Sequence, residues 1–185
     1  MIIGITIGVL VVLLAIFLIS TYNSLVQLRQ RVQNAWAQVD VQLKRRYDLI
    51  PNLVNAVKGY AQHEKDTLER VTQARNMAAN AGSVKEQMQA ENMLTGALRS
   101  LFAVAEAYPE LKANTNFLQL QGELSDTESK IAFSRQFYND TVQKFNTKIE
   151  LFPANLVAGM LGFSMVDYFN LQGEPDARQA VKVEF

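Results

Sequence analysis

The chain has 185 residues, of which 18 are basic, 18 acidic and one histidine, and it contains no cysteine. The resulting net charge of zero argues against nucleic acid as a partner, because phosphate binding requires a basic excess. Without cysteine the sequence offers no thiol nucleophile and no site for lipid attachment, and it fits either a reducing or an oxidising compartment.

The first predicted element is an apolar segment at residues 1–22 that could be a signal peptide, a buried core helix or an uncleaved anchor. At ~1.5 Å per residue, ~20 helical residues cover the ~30 Å hydrocarbon core of a bilayer. No Lys or Arg precedes the segment, its end is a poor cleavage site, and no face of the helix is polar. The pattern therefore predicts a single-pass transmembrane anchor, with membrane lipid as its partner.

The sequence also predicts the orientation of this anchor in the membrane and a candidate contact between two anchor helices. Arg29, Arg31 and the run 44–46 all follow it, so the positive-inside rule predicts that the C-terminal domain is cytoplasmic. Gly4 and Gly8 match the small-xxx-small spacing at which membrane helices approach each other, which makes them candidates for a dimer contact.

Residues 23–153 repeat apolar side chains every three or four positions, the spacing of amphipathic helices. The first stretch continues from the anchor without a Gly or Pro and meets Pro51, where we expect a kink or a short break. The second stretch resumes after this proline and ends near Gly82.

A third stretch begins at Ser83, which stands three residues before Glu86 in the capping-box spacing, and stops before Pro109. The fourth covers residues 117–152 with the cleanest period in the chain, and a start after a bend at Gly122 is an alternative. We therefore predict an all-α fold, in which an N-terminal transmembrane helix continues into an elongated antiparallel three- to four-helix bundle.

The C-terminal part differs in composition from the bundle. Residues 154–172 are apolar nearly all round but too short to cross a bilayer. They form either a short helix that plugs the bundle end or an exposed patch for a neighbouring subunit or the membrane surface. Residues 173–185 form an extended or disordered tail that alternates like an edge strand and could pair with another chain. The candidate interaction residues here are Leu156, Met160, Phe163, Phe169 and Phe185.

No catalytic, metal or cofactor site can be assembled from the sequence. His63 and Glu64 begin an H-E-x-x-H motif, but Thr67 stands where the second zinc ligand is required. Phosphate-binding glycine loops and nucleophile elbows are absent from the sequence, and the Asp and Glu residues are spaced as solvated helix faces. We therefore predict a non-enzymatic protein without a cofactor.

The basic run Lys44–Arg46 could be a solvated face or could pair with acidic residues of another helix or another protein. On an upright helix it would lie ~35 Å beyond the bilayer, too far to attract lipid head groups across a screening length of ~8 Å. The residues that follow it offer two interpretations. Asp48 could cap a helix beginning at the Pro51 break, or the polar side chains could contact a partner. The candidate interaction residues of this region are Arg45, Arg46, Asp48, Pro51, Asn52 and Asn55.

Nearly the whole chain resembles the LemA family. The most specific match is RRYDLIPNLV at residues 45–54, supported by YNSLV at 22–26, NAWAQVD at 34–40, VKGY at 57–60 and AYPELKA at 107–113. The resemblance implies a bacterial inner-membrane protein with a helical bundle inside the cell and no established enzymatic activity or cofactor. Some similar proteins carry a lipid-attachment cysteine and lie on the other side of the membrane, and this chain lacks that cysteine.

These observations favour a membrane-anchored helical scaffold that self-associates within an envelope protein assembly, because confinement to a membrane raises the effective concentration of weak contacts. The alternative is an adaptor that presents its C-terminal segment to a membrane protease or transporter of unknown identity. An enzyme with an unrecognised site is a third hypothesis.

Overall fold

The computed structural model describes residues 2–170, so the predicted tail and its candidate residue Phe185 lie outside the described part of the chain. Over that range the fold is all-helical without a strand, which confirms the predicted class. The helices are α1 (Ile2–Lys58), α2 (Lys65–Ala79), α3 (Val84–Glu106), α4 (Pro109–Lys112), α5 (Thr115–Glu150) and α6 (Ala154–Met160).

Helix α1 runs through Pro51, so the short break offered for this residue is wrong, whereas the alternative, a kink, stays a prediction. Proline has no N–H and leaves the carbonyl four residues earlier, that of Tyr47, without its helical donor. The Nε of Arg75, on α2, donates a hydrogen bond to this carbonyl at 3.2 Å. The buried side chains of Ile50 and Leu53 also hold the helix on both sides of the proline. The chain leaves the helix only after Lys58, followed by Gly59.

The described chain divides into two compact units, residues 2–38 with 136–168 and residues 39–135 with 169–170. In the first unit, the ring of Trp36 packs edge-on against that of Tyr138, with centroids 5.2 Å apart. Nearer the start of α1, Tyr22 contacts Phe163, which also packs against Phe145 of α5. Later residues of α5 thus meet earlier levels of α1, so the two helices run antiparallel in this unit.

The second unit combines the end of α1 with α2, α3, α4 and the beginning of α5. Helix α3 starts as predicted, since the backbone N–H of Glu86 donates to Ser83 Oγ at 3.2 Å. The Glu86 carboxylate accepts from the backbone N–H of Gly82 at 2.9 Å, one residue before the position expected for a capping box.

Helix α5 begins at Thr115 and passes through Gly122, so the alternative start after a bend at this glycine is wrong. Its first turn is capped by Asn114, whose Oδ1 accepts from the Phe117 N–H at 3.1 Å. The predicted stripe is buried at most positions, including Phe117, Leu124, Thr127, Ile131, Ser134, Tyr138, Thr141 and Phe145.

Candidate functional site

The first candidate surface is the apolar start of α1. An 18-residue window of this helix has a mean hydropathy of 3.2 and none of it is buried, so the core-helix interpretation is wrong. Leu10 is 65% exposed, whereas Thr21 and Leu25 are 5% and 0% exposed. Packing within the chain therefore begins where the apolar segment ends. By length and composition, α1 is able to cross a membrane.

The predicted membrane-helix contact at Gly4 and Gly8 lies on this uncovered segment. A Cβ added at either glycine would meet no atom within 4 Å. Both positions are therefore open to a second helix, and the contact stays a prediction.

The second candidate site is a buried charged cluster in the second unit, centred on Arg46. Its guanidinium Nη1 lies 2.6 Å from Glu91 Oε2, and its Nη2 lies 2.8 Å from Glu128 Oε1. Nη2 also donates to the hydroxyl of Thr95 at 3.2 Å. The side chains of Arg46 and Glu91 are 2% and 1% exposed. Arg46 thus joins α1 to α3 and α5.

The neighbouring side chains complete the hydrogen bonding of Glu91. The hydroxyl of Tyr47 donates to Glu91 Oε1, and Gln87 Nε2 approaches the same oxygen at 3.3 Å. Gln87 also donates to the Tyr47 hydroxyl at 2.7 Å and to the carbonyl of Ala78 at 3.1 Å. Both oxygens of the buried carboxylate therefore accept hydrogen bonds from side chains of the same unit.

Burial and the neighbouring charges shift the pKa values of two side chains in this cluster. Burial raises the pKa of Tyr47 well above its usual value, and the negative charge of Glu91 raises it further. Burial also raises the pKa of the Glu128 carboxyl, while Arg46 acts in the opposite direction. An arginine removed from water is costly unless it is paired and hydrogen-bonded, and here it has two carboxylates. Its Nε has no hydrogen-bond partner among the described residues.

This cluster corrects two interpretations of the sequence. Arg46 does not lie on a solvated face, because it pairs with acidic residues on other helices of its own chain. Glu91 is not a surface carboxylate either. The available signal was its position: Gln87 and Glu91 continue the α3 stripe that includes Leu94 and Leu98, so both had to face the core.

A groove of about 360 Å³ lies beside the cluster within the same unit. Arg46 and Glu128 line one part of it, and Leu98, Phe102 and Leu124 supply apolar walls. The groove is open, and Arg46 and Glu128 at its edge are already paired with each other.

The remaining candidate residues of α1 form a polar surface. Arg45, Asp48, Asn52 and Asn55 are exposed and follow at intervals of three and four, so they share one face of the helix, with Pro51 exposed beside them. The capping interpretation of Asp48 is wrong, because no helix begins near it. Contact between this face and a partner stays a prediction.

The C-terminal candidates separate into exposed and covered side chains. Leu156 and Met160 are 58% and 84% exposed. Phe163 is partly covered by aromatic contacts and Phe169 is fully buried, so of the two alternatives for this segment the exposed patch is wrong for these two residues. Helix α6 buries only its other face, through Ala154, Val157 and Ala158.

Among residues 2–170, no group of three or more His, Asp or Glu side chains is placed to hold a metal ion. His63 is exposed in the connection between α1 and α2. The described geometry shows ion pairing inside the second unit and exposed apolar surface on α1 and α6.

The sequence of this chain is similar to those of several known proteins. The LemA family model matches residues 35–185. Protein LemA of Metamycoplasma hominis is 32% identical over 151 residues, covering 80% of this chain and 68% of the relative. Magnetosome protein MamQ 2 of Paramagnetospirillum magneticum is 26% identical, covering 82% of this chain and 65% of the relative. Magnetosome protein MamQ of Magnetospirillum gryphiswaldense is 25% identical, with 83% and 66% covered. The chain spans about two thirds of the length of these relatives.

Proposed function

This chain belongs to the LemA family, and from that premise we propose that it is a membrane-anchored, self-associating helical scaffold. It has no catalytic activity in this proposal and organises an envelope protein assembly. Its place is the bacterial inner membrane, with residues 2–20 in the bilayer and the C-terminal domain in the cytoplasm.

The observation that carries this proposal is the contrast between the start of α1 and the rest of the helix. Residues 2–20 are predominantly apolar and all exposed except the half-buried Phe17, while full burial begins at Thr21. An apolar surface of this length would aggregate in water, and a bilayer covers it at no cost to the bundle. The positive charges of Arg29 and Arg31 after this segment support the cytoplasmic placement.

A scaffold role is supported by the way the charged groups of the second unit are used. Arg46, Glu91 and Tyr47 bind each other inside the bundle, which rigidifies it and leaves these groups unavailable to a substrate. Two of the relatives are named for a cellular structure, the magnetosome, and not for a reaction. A fixed bundle on a membrane tether is suited to holding other molecules in place.

Self-association would use two exposed surfaces, the Gly4 and Gly8 face of the anchor and the polar face of α1 at Arg45, Asp48, Asn52 and Asn55. Close approach of two anchor helices needs small residues, because side chains larger than Ala separate the backbones. The membrane confines both copies to two dimensions, so contacts that are weak in solution are sufficient.

The experiment measures oligomer size in the membrane. The full chain is cross-linked in native membranes and identified by mass spectrometry, and its mass is measured after extraction into lipid nanodiscs. We expect a discrete oligomer that Gly4→Leu with Gly8→Leu weakens and that the control pair Thr6→Leu with Val9→Leu, on the other side of the helix, leaves intact. A monomer in nanodiscs without cross-links between copies would overturn self-association.

The adaptor alternative has a specific observation in its favour, since Leu156 and Met160 expose apolar surface on α6. In that case the same cross-linking experiment would join this segment to a membrane protease or transporter, and the nanodisc particle would contain one copy of the chain.

A further inference from the structure

The outward face of α6 and the residues around it make an apolar surface within the first unit. Phe152 and Met160 are 79% and 84% exposed, and Leu151, Leu156 and Leu161 are each exposed by more than half. Leu156 and Met160 are four residues apart on α6, so they point to one side of this short helix. No charged residue occurs from position 151 to position 166.

This surface has a fixed place relative to α1. The ring of Phe163 lies 6.1 Å from that of Tyr22 and 6.4 Å from that of Phe145, and the guanidinium carbon of Arg29 lies 5.3 Å from its centroid. Tyr22 stands two residues after the apolar segment 2–20. The turn that follows α6 is therefore beside the point at which α1 leaves its apolar segment.

Hydrogen bonds hold the segment in this position. Gly162, with a φ of 71°, follows the end of α6, and the N–H of Phe163 donates to the carbonyl of Ala158 at 3.0 Å. This Schellman closure turns the chain so that Phe163 faces inward. Asn146 then both donates to the carbonyl of Val166 at 2.9 Å and accepts from its N–H at 3.0 Å. The segment is tied to α5 while its apolar side chains remain outside.

We propose that residues 151–165 form a second membrane contact, which lies in the lipid interface of the leaflet from which α1 emerges. The proposal rests on the membrane anchoring proposed above. The occupant is lipid because the exposed surface continues the apolar segment of α1 through the Phe163–Tyr22 contact. A short helix with a buried face and an uncharged apolar face enters the boundary of head groups and acyl chains by about 5–10 Å without crossing it.

Two membrane contacts would restrict the orientation of this unit more than a single contact does. A single transmembrane helix leaves the attached domain free to tilt and rotate on the membrane. A second contact beside the first would restrict the tilt of this unit and present its other faces toward the cytoplasm in a constant direction.

The test uses the absence of native cysteine in the full chain. Single substitutions Met160→Cys, Val12→Cys and Gln136→Cys are labelled with the environment-sensitive fluorophore NBD and reconstituted in vesicles of phosphatidylcholine and phosphatidylglycerol. Gln136 is an exposed polar residue of α5 in the same unit, so it is the matched aqueous control. Quenching by brominated lipids reports depth, and quenching by iodide reports access to water.

We expect bromine at shallow acyl positions to quench the label at position 160, bromine at deep positions to quench at position 12, and iodide to quench only at position 136. Water-like emission and full iodide access at position 160, with lipid quenching retained at position 12, would overturn this inference and leave the anchor intact. Loss of lipid quenching at position 12 would instead overturn the anchor.

A second copy of the chain is the competing occupant. It would shield position 160 from iodide without quenching by brominated lipid, and it would produce energy transfer between copies labelled with donor and acceptor at this position. That combination would also overturn the lipid assignment. Circular dichroism of each labelled variant is compared with that of the parent chain, so that a change of fold is recognised.

Discussion

The beginning of helix α1 exposes apolar side chains, whereas the later part of the same helix buries a charged one. Leu10 is 65% exposed in the first region, and Arg46 is 2% exposed in the second. Both arrangements are unusual for a water-soluble protein, which covers apolar surface and solvates its arginines. Each therefore requires a compensating partner.

The difference between the two regions lies in where that partner is. Arg46 pairs with Glu91 and Glu128 of its own chain, so folding supplies the negative charges that a buried guanidinium requires. None of residues 2–170 covers the start of α1, and a bilayer is the partner that we propose for it. The buried charges therefore stabilise the bundle, while the exposed apolar surfaces are the regions at which we expect contact with other molecules.

Charging the apolar region should produce the largest effect. Each Arg at the centre of a spanning helix opposes insertion by about 2.5–3.5 kcal/mol, so Val11→Arg with Val12→Arg should cost about 5–7 kcal/mol. We expect the double variant to appear in the alkaline carbonate-soluble fraction, whereas the parent chain stays in the membrane pellet. Gln33→Arg with Asn34→Arg places the same charges at exposed positions of α1 and should remain in the pellet. Retention of both variants would contradict the membrane assignment of this region.

Removing the guanidinium from the charged region should give the next largest effect. Arg46→Met leaves Glu91 buried without its cation, which should lower the free energy of unfolding by about 3–5 kcal/mol. Adding Glu91→Leu removes the unpaired charge, so the double variant should be more stable than Arg46→Met alone. Urea unfolding of the full chain in mild detergent measures both.

The control for this cluster is the neighbouring arginine. Arg45 is exposed, so Arg45→Met should change the free energy of unfolding by no more than about 0.5 kcal/mol. Equal losses for Arg45→Met and Arg46→Met would show that the pairing of Arg46 with Glu91 contributes nothing.

Alkaline pH should weaken the charged region through Tyr47. Burial, followed by the charge of Glu91, raises the pKa of the folded side chain above that of the unfolded one. The folded state therefore retains its proton, and the stabilisation is complete below the unfolded pKa of about 10 and is lost as the pH rises above it. At pH 11 the loss from this group is at most about 1.4 kcal/mol.

The measurement for Tyr47 is the change in urea midpoint between pH 9 and pH 11. We expect Tyr47→Phe to show a smaller change than the parent chain, because it has no phenol to titrate. Tyr168→Phe, at an exposed position, should keep the change of the parent chain. If Tyr47→Phe also keeps it, the phenol of Tyr47 is not shielded by the cluster.

The sequence was sufficient for features that depend on local spacing. Stripes such as the one through Phe117, Leu124 and Ile131 repeat every three or four residues and were found buried, because helix geometry alone places them on one face. The cap at Ser83 likewise depends on residues three positions apart.

The sequence was not sufficient where a partner lies far along the chain. Arg46 is 45 residues from Glu91, and nothing in the local pattern of the basic run shows that the two meet. The polar members of the α3 stripe, Gln87 and Glu91, were a usable signal that a buried partner exists, but they do not identify it. The sequence left open whether α6 is covered or exposed, because both faces of this segment are apolar in sequence.

The smallest expected effect concerns the contact that allows α1 to continue through Pro51, close to the charged region. The Tyr47 carbonyl lacks its helical donor and accepts from Arg75 Nε, so Arg75→Met should lower the free energy of unfolding by about 1 kcal/mol. In a chain with Pro51→Ala, the restored backbone N–H can satisfy the same carbonyl, so Arg75→Met should then cost less. A double-mutant cycle from urea unfolding isolates this coupling from the other contacts of the two residues. Equal costs of Arg75→Met in the two backgrounds would mean that the arginine does not substitute for the missing donor, and that the helix is held across the proline by the burial of Ile50 and Leu53 alone.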